Sequence, residues 1–160
     1  MIESTSAERG AEVRFPPPLV FLGTTLLGVA LQSAGPDLSL PLDRWIGLGA
    51  GLLLLLAGLA LGTAAHARFR RTGQHPAPWR PSPEFIRGGP YRFTRNPMYV
   101  GMSLIEIGLG LAVDNLWIVL LTAPALLAVH FIAVRPEERY LATKFGKPYV
   151  DYVASVRRYL

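Results

Sequence analysis

Hydrophobic residues are concentrated in four long segments of this 160-residue chain. The segments run over about residues 17–34, 45–65, 98–113 and 116–134. A helix needs about 20 apolar residues to cross a bilayer, with a range of about 17 to 25. The first, second and fourth segments meet this length, and Pro97 can extend the slightly shorter third segment into the membrane interface. The pattern therefore predicts an all-α, polytopic membrane protein with about four transmembrane helices.

Turn-forming residues separate these segments. Gly35-Pro36 breaks the chain after the first segment, and Pro41 precedes the second. Between the third and fourth segments the only polar residues are Asp114 and Asn115. Because two residues suffice for a tight helical hairpin, we expect the third and fourth helices to be antiparallel neighbours.

The C-terminal tail has a different pattern. Its apolar and aromatic residues recur mainly at steps of three and four: Tyr140, Leu141, Phe145, Tyr149, Tyr152, Val153 and Val156. This spacing predicts an amphipathic helix that lies at the membrane surface. We expect Gly146 and Pro148 to break it into two pieces.

Composition and charge support a membrane protein. Hydrophobic residues make up 51% of the chain, and the formal charge is +5. The segment over residues 68–95 holds seven arginines, and residues 135–158 hold six basic residues. Since positive residues stay on the cytoplasmic side, both termini and the central segment are expected to be cytoplasmic. The basic charge is therefore explained by membrane topology, and we predict no nucleic-acid partner.

Several features of other protein classes are missing from the sequence. The first fifteen residues are mixed in charge and do not resemble a signal peptide. The chain has no cysteine, which excludes disulfides and thiolate zinc sites. His66 and His75 lack metal-ligand spacing with acidic residues, so no metal site is predicted.

Residues 85–101 contain the most unusual combination of side chains. The run of two glycines and a proline at residues 88–90 allows a tight turn and a close approach of the backbone to a ligand. Tyr91 and Tyr99 offer aromatic faces with a polar group, and Asn96 offers both a donor and an acceptor. The same stretch could instead be a juxtamembrane loop with interfacial aromatics and snorkelling arginines.

A second candidate lies just beyond the fourth segment, at Glu137-Glu138. These carboxylates could bind hydroxyl or ammonium groups, or simply favour a helix N-terminus after Pro136. Residues equidistant from the hairpin turn lie at the same depth, so Tyr99 is at the level of His130. Residues 91–95 are at the level of Glu137. The two candidate regions are therefore expected to converge at one rim of the bundle.

Two further ionisable residues lie near or inside the spans. Glu106 is about two turns inside the third span, where an ionisable group is costly and usually faces the bundle interior. It could line an acceptor cavity, or be protonated and bonded to a neighbour such as Ser103. His130 could titrate, or could be a hydrogen-bonded packing residue.

The residue pattern as a whole resembles the isoprenylcysteine carboxyl methyltransferases and related phospholipid methyltransferases. The similar residues are Gly89-Pro-Tyr-Arg-x-x-Arg-Asn-Pro-x-Tyr99, then Glu137-Glu138, then Phe145-Gly146-x-x-Tyr149-x-x-Tyr152. The resemblance covers about residues 83–158, half of the chain. It implies a single membrane methyltransferase domain over residues 1–160. A cytoplasmic cap would bind S-adenosylmethionine (SAM) through residues 83–101 and 135–158.

The resemblance also implies roles for individual residues. It assigns SAM binding to Phe85, Ile86, Tyr91, Asn96, Pro97, Tyr99 and Glu137. Two positions differ from the family pattern. The family histidine before the proline is Asn96 here, which can donate a hydrogen bond but carries no charge. At the position of the family's substrate-linked arginine this chain has Ala133, and the nearest arginine is Arg135.

The expected activity is methyl transfer from SAM to a lipophilic acceptor in the bilayer, similar to isoprenylcysteine carboxyl O-methylation. An alternative is N- or S-methylation of a phospholipid or small lipophile, and another is a non-catalytic membrane scaffold. Glu106, His130 and Arg135 are the candidate catalytic or acceptor-side residues. Glu106 and His130 would deprotonate an amine acceptor.

Overall fold

The computed structural model describes residues 10–13 and 15–159. It has four apolar helices: α1 (Pro17–Ala34), α2 (Arg44–Arg71), α3 (Pro97–Ala112) and α4 (Leu116–Val129). A π-helical turn (His130–Val134) joins α4 to α5 (Arg135–Phe145), and α6 (Lys147–Ser155) follows. A short 3-10 turn (Gly89–Arg92) precedes α3. The predicted all-α membrane fold is confirmed.

Three helical stretches are long and apolar enough to cross a membrane: Pro17–Ala34, Arg44–Arg71 and Leu116–Phe145. The fourth apolar helix, α3, has only 16 residues. The first predicted span has the observed bounds, whereas α2 extends to Arg71 and so carries its last turn into the arginine-rich segment. The expected break of the tail at Gly146 is confirmed.

The helix ends follow from local sequence. Asp43 caps α2 by accepting a hydrogen bond of 2.9 Å from the amide of Trp45. Asn115 caps α4 by accepting one of 3.1 Å from the amide of Ile118. The two-residue turn before α4 places Asp114 at φ 53°. This turn forms the predicted antiparallel hairpin of α3 and α4.

Glycines allow α2 and α3 to approach closely. A Cβ atom added at Gly58 would lie 2.6 Å from the carbonyl oxygen of Gly101, and one at Gly51 would lie 2.6 Å from that of Gly108. Only a residue without a side chain permits such contact between helices in a membrane. On the other side of α3, α4 packs against both α3 and α1.

The helix does not stop at Pro136, because the π turn over residues 130–134 accommodates it. Proline has no amide proton for the carbonyl four residues earlier, and a wider turn tolerates that loss. As a result, α5 continues from the fourth span and carries Glu137 and Glu138 in its first turn. Both carboxylates thereby lie directly over the end of the hairpin.

Candidate functional site

The two candidate regions meet at one end of the α3–α4 hairpin. The hydroxyl of Tyr99, in the first turn of α3, donates a short hydrogen bond to Oε1 of Glu137 on α5. These residues are 38 positions apart in sequence. The predicted convergence of the two regions is therefore confirmed. Glu137, expected at the level of residues 91–95, instead bonds to Tyr99, which lies nearer the hairpin turn.

The loop before α3 is shaped around an arginine from α2. Gly89 has φ +63°, and a Cβ atom there would lie 2.4 Å from Nε of Arg68. A side chain at Gly89 would thus be strained by the backbone and would collide with the guanidinium group. The turn that begins at this glycine places Tyr91 in the interior.

The C-terminal helix closes the site with aromatic rings. The ring of Phe85 lies 5.2 Å from that of Phe145, 5.5 Å from that of Tyr149 and 5.7 Å from that of Tyr152. Tyr152 also donates a hydrogen bond of 2.7 Å to the carbonyl oxygen of Tyr91. The tyrosines of the tail, spaced three apart, thus form one wall against the central loop.

Asn96 fastens the tail to the central loop. Its Nδ2 donates a hydrogen bond of 2.9 Å to the carbonyl oxygen of Arg158, and Thr94 Oγ1 donates one of 3.1 Å to the same oxygen. The amide of Arg95 donates to the carbonyl oxygen of Arg157 at 2.9 Å. This bond uses one of the two Nδ2 hydrogens, so the second hydrogen and the side-chain oxygen of Asn96 are left for another partner.

A cleft lies between the central loop, the first turn of α3 and helices α5 and α6. Six of the seven residues expected to bind the cofactor line it: Phe85, Ile86, Tyr91, Asn96, Tyr99 and Glu137. The seventh, Pro97, is fully buried and begins α3 instead.

Other lining residues were not predicted. Ala11, residues 75–78 and Tyr140 also face the cleft. Ala11 is held there by a hydrogen bond of 2.8 Å from its amide to the carbonyl oxygen of Pro78. No motif distinguishes these positions, although Tyr140 belongs to the amphipathic pattern of the tail.

Three tyrosines of the cleft, Tyr91, Tyr149 and Tyr152, remain protonated at neutral pH. Burial raises the pKa of Tyr152 to about 12. Burial, followed by the negative charge of Glu137, raises the pKa of Tyr91, and burial together with Glu138 raises that of Tyr149. These phenols therefore act as hydrogen-bond donors and as neutral aromatic faces.

The two neighbouring glutamates have different surroundings. Glu138 forms a bidentate pair with Arg158, at 3.0 Å to Nε and 2.9 Å to Nη2, and lies 3.4 Å from Nη1 of Arg95. Glu137 instead faces the cleft and bonds to Tyr99. The carboxylate of Glu137 is therefore placed to meet a ligand, whereas that of Glu138 is neutralised by arginines.

His130 and Arg135 lie outside this cleft. Both line a neighbouring pocket, where Nδ1 of His130 is 2.9 Å from the hydroxyl of Tyr159. The guanidinium carbon of Arg135 lies 5.5 Å from the ring centre of Phe131. Arg95 and Tyr149 line both pockets and so form the boundary between them.

Glu106 is enclosed between helices, with only 2% of its surface exposed. Its Oε1 accepts hydrogen bonds from Thr24 at 2.7 Å and Thr25 at 3.2 Å. Among the described residues, its Oε2 has no hydrogen-bond partner. Ser103, which was considered as a neighbour, instead donates to the carbonyl oxygen of Tyr99 at 3.0 Å.

Comparison with known families matches the part of the chain that holds most of this site. A model of the family described as phospholipid methyltransferase matches residues 46–148. The cobalt-zinc-cadmium resistance protein CzcN of Cupriavidus metallidurans is 30% identical over 103 residues, which cover 64% of this chain and 47% of that protein. The chain thus spans about half the length of the curated relative it matches. The family match includes Tyr91, Tyr99 and Glu137 and ends just before Tyr149.

Proposed function

We propose that this chain, which belongs to the phospholipid methyltransferase family, uses SAM to methylate a lipophilic acceptor at the membrane surface. Membership of the family supports methyl transfer at a membrane as the activity. The observation that carries the cofactor proposal is the cleft at the hairpin end, where Glu137 and Tyr99 are bonded among aromatic side chains.

The donor set of the cleft fits SAM. The rings of Phe85, Tyr91 and Tyr149 offer faces for an adenine base and for a cationic sulfur. The carboxylate of Glu137 can accept hydrogen bonds from ribose hydroxyls or an ammonium group. Ile86 adds an apolar wall, and the side-chain oxygen of Asn96 adds an acceptor. Pro97 contributes by fixing the start of α3.

The protein's work in such a reaction is alignment and exclusion of water. When bound, SAM supplies an electrophilic methyl group on a sulfonium leaving group. Tyr99 fixes the carboxylate of Glu137, and the tail covers the cleft, so that donor and acceptor are held in one orientation in a dry site. Effective molarity of this kind accounts for a large part of the barrier reduction in aligned reactions.

The acceptor determines whether a base is needed. A carboxylate or thiolate acceptor, as in isoprenylcysteine carboxyl methylation, is already a nucleophile. An amine, as in a phospholipid headgroup, must lose a proton, for which Glu106 and His130 are the candidates. Arg135, beside the cleft, is the candidate for holding an anionic group of the acceptor.

The orientation proposed for the chain places the cleft in the cytoplasm, where SAM is made. The arginine-rich end of α2, the central loop and the tail all lie at the end of the bundle that holds the cleft. This arrangement agrees with the expectation that positive residues remain inside. Residues 1–9 and 160, which were also expected inside, lie outside the described residues.

A transfer assay tests the proposed activity and identifies the acceptor class. Protein in detergent is incubated with methyl-labelled SAM and either prenylcysteine analogues or total membrane lipids, with Glu137→Gln as the control variant. We expect label in the organic phase with one acceptor set, and at least about a tenfold loss in the variant, because a charge-assisted hydrogen bond is removed. A protein that neither binds SAM nor labels any acceptor would support the scaffold alternative.

A further inference from the structure

A second pocket lies on the other side of Arg95 from the cleft, and its charge is strongly positive. It holds about 520 Å³. Its charged side chains are four guanidinium groups and one carboxylate: Arg95, Arg135, Arg139, Arg158 and Glu138. Among the residues that the structure describes in this lining, three positive charges are therefore left without a compensating carboxylate, an arrangement that favours an anion.

Arg95 is the most buried of these cations. Its side chain is only 9% exposed, and its Nε and Nη1 have no hydrogen-bond partner among the described residues. The nearby carboxylate, Glu138, lies at 3.4 Å and is already engaged by both donors of Arg158. A buried guanidinium with free donors is costly, and an anionic ligand would compensate it.

The pocket adjoins surface that is suited to lipid. It is lined by residues of the π turn and α5, which follow α4. Arg135 lies over the ring of Phe131, which is 54% exposed. On the opposite side, Val150 lines the pocket and is 55% exposed. Cationic side chains thus lie between exposed apolar side chains just beyond α4. Such a surface is suited to an amphiphile that has an anionic headgroup.

We propose that this pocket binds the phosphate group of an anionic membrane lipid, with the lipid's chains against Phe131 and the surrounding bilayer. Guanidinium groups match phosphate oxygens in geometry and charge. A lipid with a net negative charge is favoured over a zwitterionic one, because the described residues of the lining offer no carboxylate free to pair with a cationic headgroup. Because the pocket includes Arg135, the residue proposed above to hold an anionic group of the acceptor, this site rests on that part of the proposed function. Lipid binding itself requires neither SAM nor methyl transfer.

Binding of short-chain lipids to the full chain in detergent tests the proposal by calorimetry. The probes are a short-chain phosphatidylglycerol, the matching phosphatidylcholine and inorganic phosphate. The test variant is Arg135→Gln/Arg139→Gln, and the matched control is Arg70→Gln/Arg71→Gln, which removes the same charge from the end of α2. All four side chains belong to exposed or partly exposed surface residues.

We expect saturable binding of phosphatidylglycerol, at least about tenfold tighter than that of phosphatidylcholine or phosphate. The test variant should lose about tenfold or more in affinity, since each basic residue near a lipid surface contributes measurably. The control should stay within about twofold of the parent protein. Melting temperatures of all variants verify that they are folded, and Arg139→Gln alone is the milder substitute.

Three results would overturn the proposal. An equal loss in test and control variants would indicate general surface charge. Inorganic phosphate binding as tightly as the lipid would indicate a site for soluble anions. The absence of saturable phosphatidylglycerol binding would leave the pocket without a lipid ligand. None of these readouts requires SAM or methyl transfer, so the proposed activity is tested separately.

Discussion

At the scale of single residues, Glu137 and Glu138 show how two adjacent positions of a helix can face different surroundings. The two are adjacent in sequence, yet Glu137 faces the cleft and Glu138 pairs with Arg158 and Arg95. The difference arises because successive residues of a helix point about 100° apart. The sequence identified the pair, but only the packing of the tail determines which carboxylate is already neutralised.

Gly89 provides a prediction for which the chain contains its own control. Gly89→Ala should lower the free energy of unfolding by about 1–3 kcal/mol, because the backbone is left-handed and Arg68 occupies the Cβ position. Gly73 has φ +68° with open space around it. Gly73→Ala should therefore lose only the free energy that is due to backbone strain. Thermal melting in detergent compares the two. Equal losses would show that contact with Arg68 is unimportant.

Glu106 is the residue whose chemistry is best tested by a conservative change. In Glu106→Gln the side-chain oxygen can still accept from Thr24 and Thr25, whereas proton exchange at the second oxygen is lost. We expect nearly unchanged SAM affinity and lower methyl transfer. SAM affinity, turnover and melting are measured on the same variant. Unaltered turnover would end the candidacy of Glu106 as an acceptor-side residue.

At the scale of elements, α6 acts as a cover for the cleft and is held by few bonds. Tyr152→Phe removes the hydrogen bond to the carbonyl oxygen of Tyr91 and leaves that buried group unsatisfied, at a cost of about 1–3 kcal/mol. Amide hydrogen exchange in residues 147–155 should accelerate accordingly. Ser155→Ala is the matched control, because Ser155 bonds only within its own helix. Unchanged exchange in Tyr152→Phe would exclude this anchoring role.

The elements were largely predictable from the sequence, and the exceptions have physical causes. Apolar length determines the spans, and Asp114-Asn115 determines the hairpin, so the meeting of the two candidate regions follows from counting. The bond between Tyr99 and Glu137 does not, because counting places Tyr99 at the level of His130. The π turn over residues 130–134 was not foreseen, because Pro136 alone would equally suit a helix start. The docking of residues 157–158 on residues 94–96 was also missed, since the tail takes part through its backbone carbonyl groups, which leave no side-chain pattern.

At the scale of the whole molecule, the distribution of arginines predicts a definite orientation in the membrane. The chain has no cysteine, so single cysteines at Ser39 and Gly73 can be labelled without background. Both positions are exposed, at opposite ends of α2. An impermeant maleimide should label Ser39→Cys in intact cells and Gly73→Cys only after permeabilisation. Labelling of Gly73→Cys from outside would place the cleft away from cytoplasmic SAM.

The cleft itself is a property of the whole molecule, because its walls come from four distant parts of the chain. The motif residues predicted six of the lining side chains, whereas the contribution of Ala11 and residues 75–78 depends on how these segments fold over the bundle. Loop residues of ordinary composition cannot be recognised from the sequence as lining a cleft. The chemistry of the site was therefore more predictable than its shape.

Calorimetric titration of SAM into the purified protein and into Glu137→Gln and Glu138→Gln tests the central claim most directly. We predict saturable binding to the parent protein, at least about a tenfold loss in Glu137→Gln through the lost charge-assisted bond, and a smaller effect in Glu138→Gln. Loss of binding in Glu138→Gln alone would assign the ligand to the other carboxylate. Absence of binding of SAM and of its demethylated product to the parent protein would contradict the proposed methyltransferase activity.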